Sequence, residues 1–88
     1  MKIRSDFVLR EVAGSFVVLP IGDAIVNFNG IISLNTSGKM LWNLLETETN
    51  TDALVELLIS EYTVSRKEAC QDVLSFLDAL RAVGCLEE

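Results

Sequence analysis

Phe28-Asn29-Gly30-Ile31-Ile32-Ser33-Leu34-Asn35 is a short apolar run that ends on an asparagine and opens directly into helical sequence. The residues N-terminal to it read as strands and turns and those C-terminal to it as helices, so it is the last strand signal in the chain. A small sheet is expected to be completed here, with no later segment to cover its edge. Such an edge presents unpaired N–H and C=O groups to which an extended peptide can add as a further strand.

Upstream, Phe7-Val8-Leu9-Arg10-Glu11-Val12 and Phe16-Val17-Val18-Leu19-Pro20-Ile21 are rich in strand formers and flank the turn Ala13-Gly14-Ser15, which predicts a hairpin. Pro20 limits the second strand, because proline has no N–H to give to a ladder. Gly22-Asp23 marks a turn, and Ala24 to Phe28 reads as an irregular extension before a turn or bulge at Asn29-Gly30 and a strand at Ile31 to Leu34.

Downstream, Asn35 is placed to cap a first helix over about 36–46, with Leu41, Leu44 and Leu45 as its core stripe and Trp42 beside it. Asn50 or Thr51 caps a second helix in which Leu54, Leu57 and Leu58 recur at i, i+3 and i+4, and Tyr62 to Val64 closes it. Ser65-Arg66-Lys67-Glu68 has the spacing of a capping box and starts a third helix that Gly84 ends. Ala69, Val73, Phe76, Leu77 and Leu80 make its apolar face, while Cys70 and Leu74 widen that face beyond what a three-helix core needs. The widening reads either as contact with the sheet or as one wall of a groove whose other wall is the edge strand. The expected fold is α+β and winged-helix-like, a three-stranded antiparallel sheet followed by three helices in a single domain over 1–88.

Composition narrows the function. The chain has 88 residues and a formal charge of −6, with no histidine and two cysteines, Cys70 and Cys85, too far apart for a CxxC pair. Neither a metal centre nor a histidine general base is available from these residues. Nucleotide-binding and nucleophile-elbow motifs are absent, and Asp72 and Asp78 stand six residues apart on one helix, a poor arrangement for paired carboxylates. The expectation is a non-catalytic protein without cofactors. No signal peptide or long apolar span is visible, which favours a reduced, cytoplasmic setting without membrane contact.

Charge is uneven. Residues 1–40 carry four basic and three acidic side chains, whereas 41–88 carry three basic and ten acidic ones. An acidic helical half disfavours nucleic acid, whose binding depends on Lys and Arg neutralising phosphates, and suits a basic peptide.

The segments Phe7 to Gly14, Phe28 to Gly38 and Asp72 to Leu80 together resemble the PqqD family of peptide chaperones. Two motifs carry the likeness: Ile32-Ser33-Leu34-Asn35 entering a helix with Ser37-Gly38 just inside it, and Asp72-Val73-x-x-Phe76-Leu77-x-x-Leu80. The resemblance implies that the leader of a ribosomally made precursor peptide adds as a strand to the edge at Gly30, Ile31, Ile32, Ser33 and Leu34. Cys70, Val73, Leu74 and Leu77 of the third helix would select its side chains. It also implies delivery of the precursor to a modifying enzyme, in this family often a radical S-adenosylmethionine enzyme. The longer stretch from Asp23 to Asn29 departs from the founding members, so the product need not be pyrroloquinoline quinone. Two rivals share the coarse architecture: a winged-helix DNA-binding domain, and a structural homodimer formed by pairing of edge strands.

Overall fold

A computed structural model describes residues 1–27 and 32–88. The hairpin is formed by β2 (Phe7–Val12) and β3 (Ser15–Pro20), preceded by a two-residue β1 (Lys2–Ile3). After β3 come a single helical turn, α1 (Ala24–Asn27), and β4 (Ile32–Leu34). Three helices come next, α2 (Thr36–Leu45), α3 (Thr51–Glu61) and α4 (Arg66–Ala82), and then a short β5 (Leu86–Glu87). The main sheet is antiparallel in the order β2-β3-β4, with Val12 opposite Ser15, and Phe16, Val17 and Val18 opposite Leu34, Ser33 and Ile32. The α+β reading of a three-stranded sheet and three helices is the observed one.

The hairpin turn is tighter than expected, because Ala13 and Gly14 alone form the loop. Both have positive φ, +51° and +82°, as a two-residue hairpin turn whose twist matches its strands requires. Glycine adopts this conformation freely, but Ala13 meets its own Cβ there. Ala13→Gly is expected to stabilise the fold by about 1 kcal/mol, read as a rise of roughly 4–8 °C in Tm for a domain of this size. An unchanged or lower Tm would count against strain at this turn.

Two readings of the middle and end of the chain are corrected. Ala24 to Asn27 forms a helical turn in place of an irregular strand; Phe28, the last residue of that reading, lies outside the described residues. Gly22, with φ +58°, redirects the chain, and the Ala24 and Ile25 amides then donate to the Ile21 and Gly22 carbonyls. Nor is the run ending at Leu34 the last strand: β5 pairs antiparallel with β1, Ile3 opposite Leu86, and the Arg4 amide donates to the Cys85 carbonyl at 2.8 Å. This second sheet leaves the edge of β4 uncovered, because it joins the N- and C-terminal segments to each other.

Each of α2, α3 and α4 starts at a predicted cap. Asn35 Oδ1 accepts from the Gly38 amide and Asn50 Oδ1 from the Ala53 amide, both at 2.8 Å, and Ser65 Oγ accepts from the Glu68 amide at 3.1 Å. The reciprocal half of the capping box differs from expectation, since the Glu68 carboxylate meets the Ser65 hydroxyl at 3.3 Å and not the Ser65 amide. Gly84 (φ +76°) ends α4, with the Cys85 amide returning to the Leu80 carbonyl.

Between sheet and helices lies one core, in which Val18, Leu41, Trp42, Leu45, Leu54, Val55, Leu58, Ala69, Val73, Leu77, Leu80 and Cys85 are buried. Trp42 is therefore central to the core and not beside it, while Leu44, Leu57 and Phe76 are half-buried at its margin.

Candidate functional site

Strand order leaves the main sheet two open edges among the described residues, the outer sides of β2 and of β4. Backbone groups of a strand point alternately to its two sides, so β4 spends half of its hydrogen-bonding capacity on β3 and offers the rest outward. Along β4, Ile32 and Leu34 are half-buried and Ser33 is exposed, the period-2 pattern of a strand with one face on the core. Gly30 and Ile31, expected to extend the edge, lie outside the described residues.

The end of β4 is joined to α4 across the start of α2. A Cβ built on Gly38 would stand 3.2 Å from Asn35 Oδ1, 3.4 Å from Leu34 Cβ and 3.5 Å from the Phe76 ring. Gly38 thus allows strand, cap and α4 to converge where any side chain would crowd them. Beside this junction opens a pocket of about 290 Å³, lined by Gly38, Leu41, Leu58 and Phe76 with polar groups from Asn35, Ser37, Asp72 and Ser75.

The residues of α4 expected to select a peptide divide differently from the sequence reading. Val73 and Leu77 are 0% exposed, so they brace the helix from within the core and offer no surface to a ligand. Cys70 is half-buried and Leu74 is 50% exposed. Successive residues turn 100° about a helix, which places Cys70 and Leu74 to one side of the Val73 stripe and Asp72 and Phe76 to the other. Phe76 is on the side that approaches Gly38, where the Leu34 side chain also stands. The groove-facing flank is thus Asp72, Ser75 and Phe76. Periodicity alone detected the width of the apolar face but not its orientation, for which the Gly38 contact was the missing signal.

Electrostatics at the helices disfavour a duplex. Arg66 pairs with Glu56, and Arg81 with Glu88 at 2.8 Å and Asp78 at 3.3 Å. These hydrogen bonds raise the guanidinium pKa values, and the Arg81 contact lowers that of Glu88. With its arginines committed to carboxylates, α4 presents little free positive charge to phosphates. Lys39, on α2, stands 4.5 Å over the Phe16 ring.

Cys85 is fully buried, and burial first, with Asp6 adding, pushes its thiol up to about 11. The raised value means that the folded state keeps its proton where the unfolded chain loses it. The associated stability is complete below the ordinary thiol pKa near 9 and is lost as pH rises toward 11. At pH 8 a maleimide should label half-buried Cys70 within minutes and Cys85 only in denaturant; equal rates would show that Cys85 is accessible.

Among the described residues no group of three or more side chains is arranged to hold a metal, and no helix is long and apolar enough to cross a membrane. The geometry is that of an antiparallel sheet ending in an open edge strand, with one flank of a helix converging on the end of that strand. The chain belongs to the PqqD family: the family model described as coenzyme PQQ synthesis protein D matches residues 15–86. Among solved structures, TbiB1 in complex with the TbiA(beta) leader peptide is similar at 28% identity and TM-score 0.78, covering 99% of this chain and 95% of that one. Lasso peptide synthetase B1 complexed with the leader peptide shares the fold at 20% identity and TM-score 0.76, covering 99% and 96%. None of the curated proteins compared matches the sequence.

Proposed function

We propose that this domain is a non-catalytic recognition element that captures the leader of a ribosomally synthesised precursor peptide and presents the precursor to a modifying enzyme. The observation that carries the reading is the uncovered edge of β4 beside the Phe76 flank of α4, in a PqqD-family domain whose 28%-identical structural relative holds a leader peptide. Main-chain hydrogen bonds to the outward-facing groups of β4, those of Ser33 among them, set register and supply affinity, and Gly30 and Ile31 are proposed as further peptide contacts. Side chains on alternate positions of the added strand meet the α4 flank. The recipient is the enzyme that acts on the bound precursor, a radical S-adenosylmethionine enzyme being the class that the family resemblance favours, and the setting is cytoplasmic.

The test is titration of a fluorescein-labelled leader, taken from the precursor encoded nearest this chain's gene, into the purified domain. Saturable one-to-one binding is expected, and no binding at any concentration would overturn the reading. Flank use is tested separately. Phe76→Ala should weaken the complex about tenfold, as loss of a hot-spot aromatic does, while Leu74→Ser leaves it within about twofold. The reverse pattern would place the peptide on the other side of α4.

A further inference from the structure

We infer that the pocket between α2 and α4 is a specificity pocket for one lysine or arginine of the bound strand, with Asp72 as its charge partner. This rests on the strand-addition reading above and goes beyond it in naming the side chain that is chosen. On an antiparallel or parallel neighbour, the residue opposite Leu34 has its Cβ about 5 Å from that of Leu34 and points to the same face of the sheet. That face is the one on which Leu34 and the Phe76 ring converge at Gly38, and the pocket of about 290 Å³ opens there.

Its lining is amphipathic in a particular way. Leu41, Leu58, Phe76 and the bare backbone of Gly38 make an apolar portion suited to an alkyl stem, and Asp72 and Ser75 stand on the α4 side. Long basic side chains bury such stems while keeping the charged head at a polar rim. Asp72 is exposed and has no ion pair among the described residues, unlike Asp6, Glu56 and Glu88, whose arginine partners are Arg4, Arg66 and Arg81. At the start of α2 the Gly38 amide and the Ser37 hydroxyl are already committed to Asn35 Oδ1, which leaves Asp72 as the charged group of the pocket lining. The surrounding field agrees in sign, with three basic against ten acidic groups over 41–88.

Selection of binders from a random twelve-residue display library, against the unaltered domain and against Asp72→Lys, tests this. Peptides whose binding is lost with Ser33→Pro identify strand addition. Among these, Lys or Arg should be enriched at one position for the unaltered domain, and Asp or Glu should replace it for Asp72→Lys. A selected basic peptide should bind Asp72→Asn about fivefold more weakly, and high salt should erase that difference, as expected for a rim ion pair. Proline-sensitive peptides with no charge preference, or with one that survives Asp72→Lys, would overturn the pocket assignment while leaving strand addition intact. Failure to recover any proline-sensitive peptide would overturn both.

Discussion

Leader binding should fall about a hundredfold or more when Ser33 is replaced by proline. Ser33 is the middle residue of the three described positions of β4 and is exposed, so the substitution leaves the core untouched. Proline removes an N–H and fixes φ near −65°, away from the extended value of a ladder, and its ring obstructs an approaching strand. Losing one or two main-chain hydrogen bonds and leaving their partners unsatisfied costs about 3 kcal/mol, which is about two orders of magnitude in affinity. Far-UV circular dichroism should show α2, α3 and α4 retained. Ile32→Pro should act from the other side of the strand: Ile32, opposite Val18, turns its amide to β3, so this variant should loosen the β3–β4 pairing and lower stability along with affinity. Unchanged affinity in both variants would make strand addition the wrong mode of recognition.

Trp42→Ala has the largest expected effect on stability. The indole is 1% exposed at the centre of the core, and truncating so large a buried side chain costs about 3–5 kcal/mol. A domain of 88 residues sits at the lower part of the usual range of about 5–15 kcal/mol, so this variant should be extensively unfolded at 37 °C. Urea titration followed by circular dichroism measures it, since the only tryptophan is then gone. Leu74→Ala, at a half-exposed position, should cost less than about 1 kcal/mol in the same assay. A similar midpoint for the two variants would contradict the placement of Trp42 in the core.

Features governed by local rules were legible in the sequence. The caps at Asn35, Asn50 and Ser65 and the stop at Gly84 arise from side-chain oxygens and positive φ, which act within a few residues. The hairpin and β4 could be read from runs of strand formers bounded by turn residues. Features set by distant contacts were not legible. β1 and β5 have two residues each, too few to show a period, and exist because Ile3 and Leu86 meet across the whole chain. Ile25 and Val26 are β-branched like strand residues, yet the turn at Gly22 commits Ala24 to Asn27 to a helical one.

The site divides along the same line. An open edge is a consequence of strand count and was expected, whereas the flank of α4 that faces it depends on how α2 packs. The family resemblance implied that Val73 and Leu77 select peptide side chains together with Cys70 and Leu74, but Val73 and Leu77 face the core, while Cys70 and Leu74 lie to one side of them. Gly38 marks the junction: a Cβ there would meet both Leu34 and the Phe76 ring, and the pocket beside it is lined by Asp72 and Phe76.

Of the main sheet's two open edges, β4 and not β2 should receive the leader, because β4 ends beside the Phe76 flank of α4. Amide chemical-shift mapping of the isotope-labelled domain during titration with the unlabelled leader tests this most directly, with intermolecular cross-peaks locating the added strand. Perturbations should concentrate at 32–34 and 72–76, with main-chain cross-peaks from the leader to β4. Perturbations centred on Phe7 to Val12, or confined to α3, with residues 32–34 unmoved, would contradict strand addition at β4.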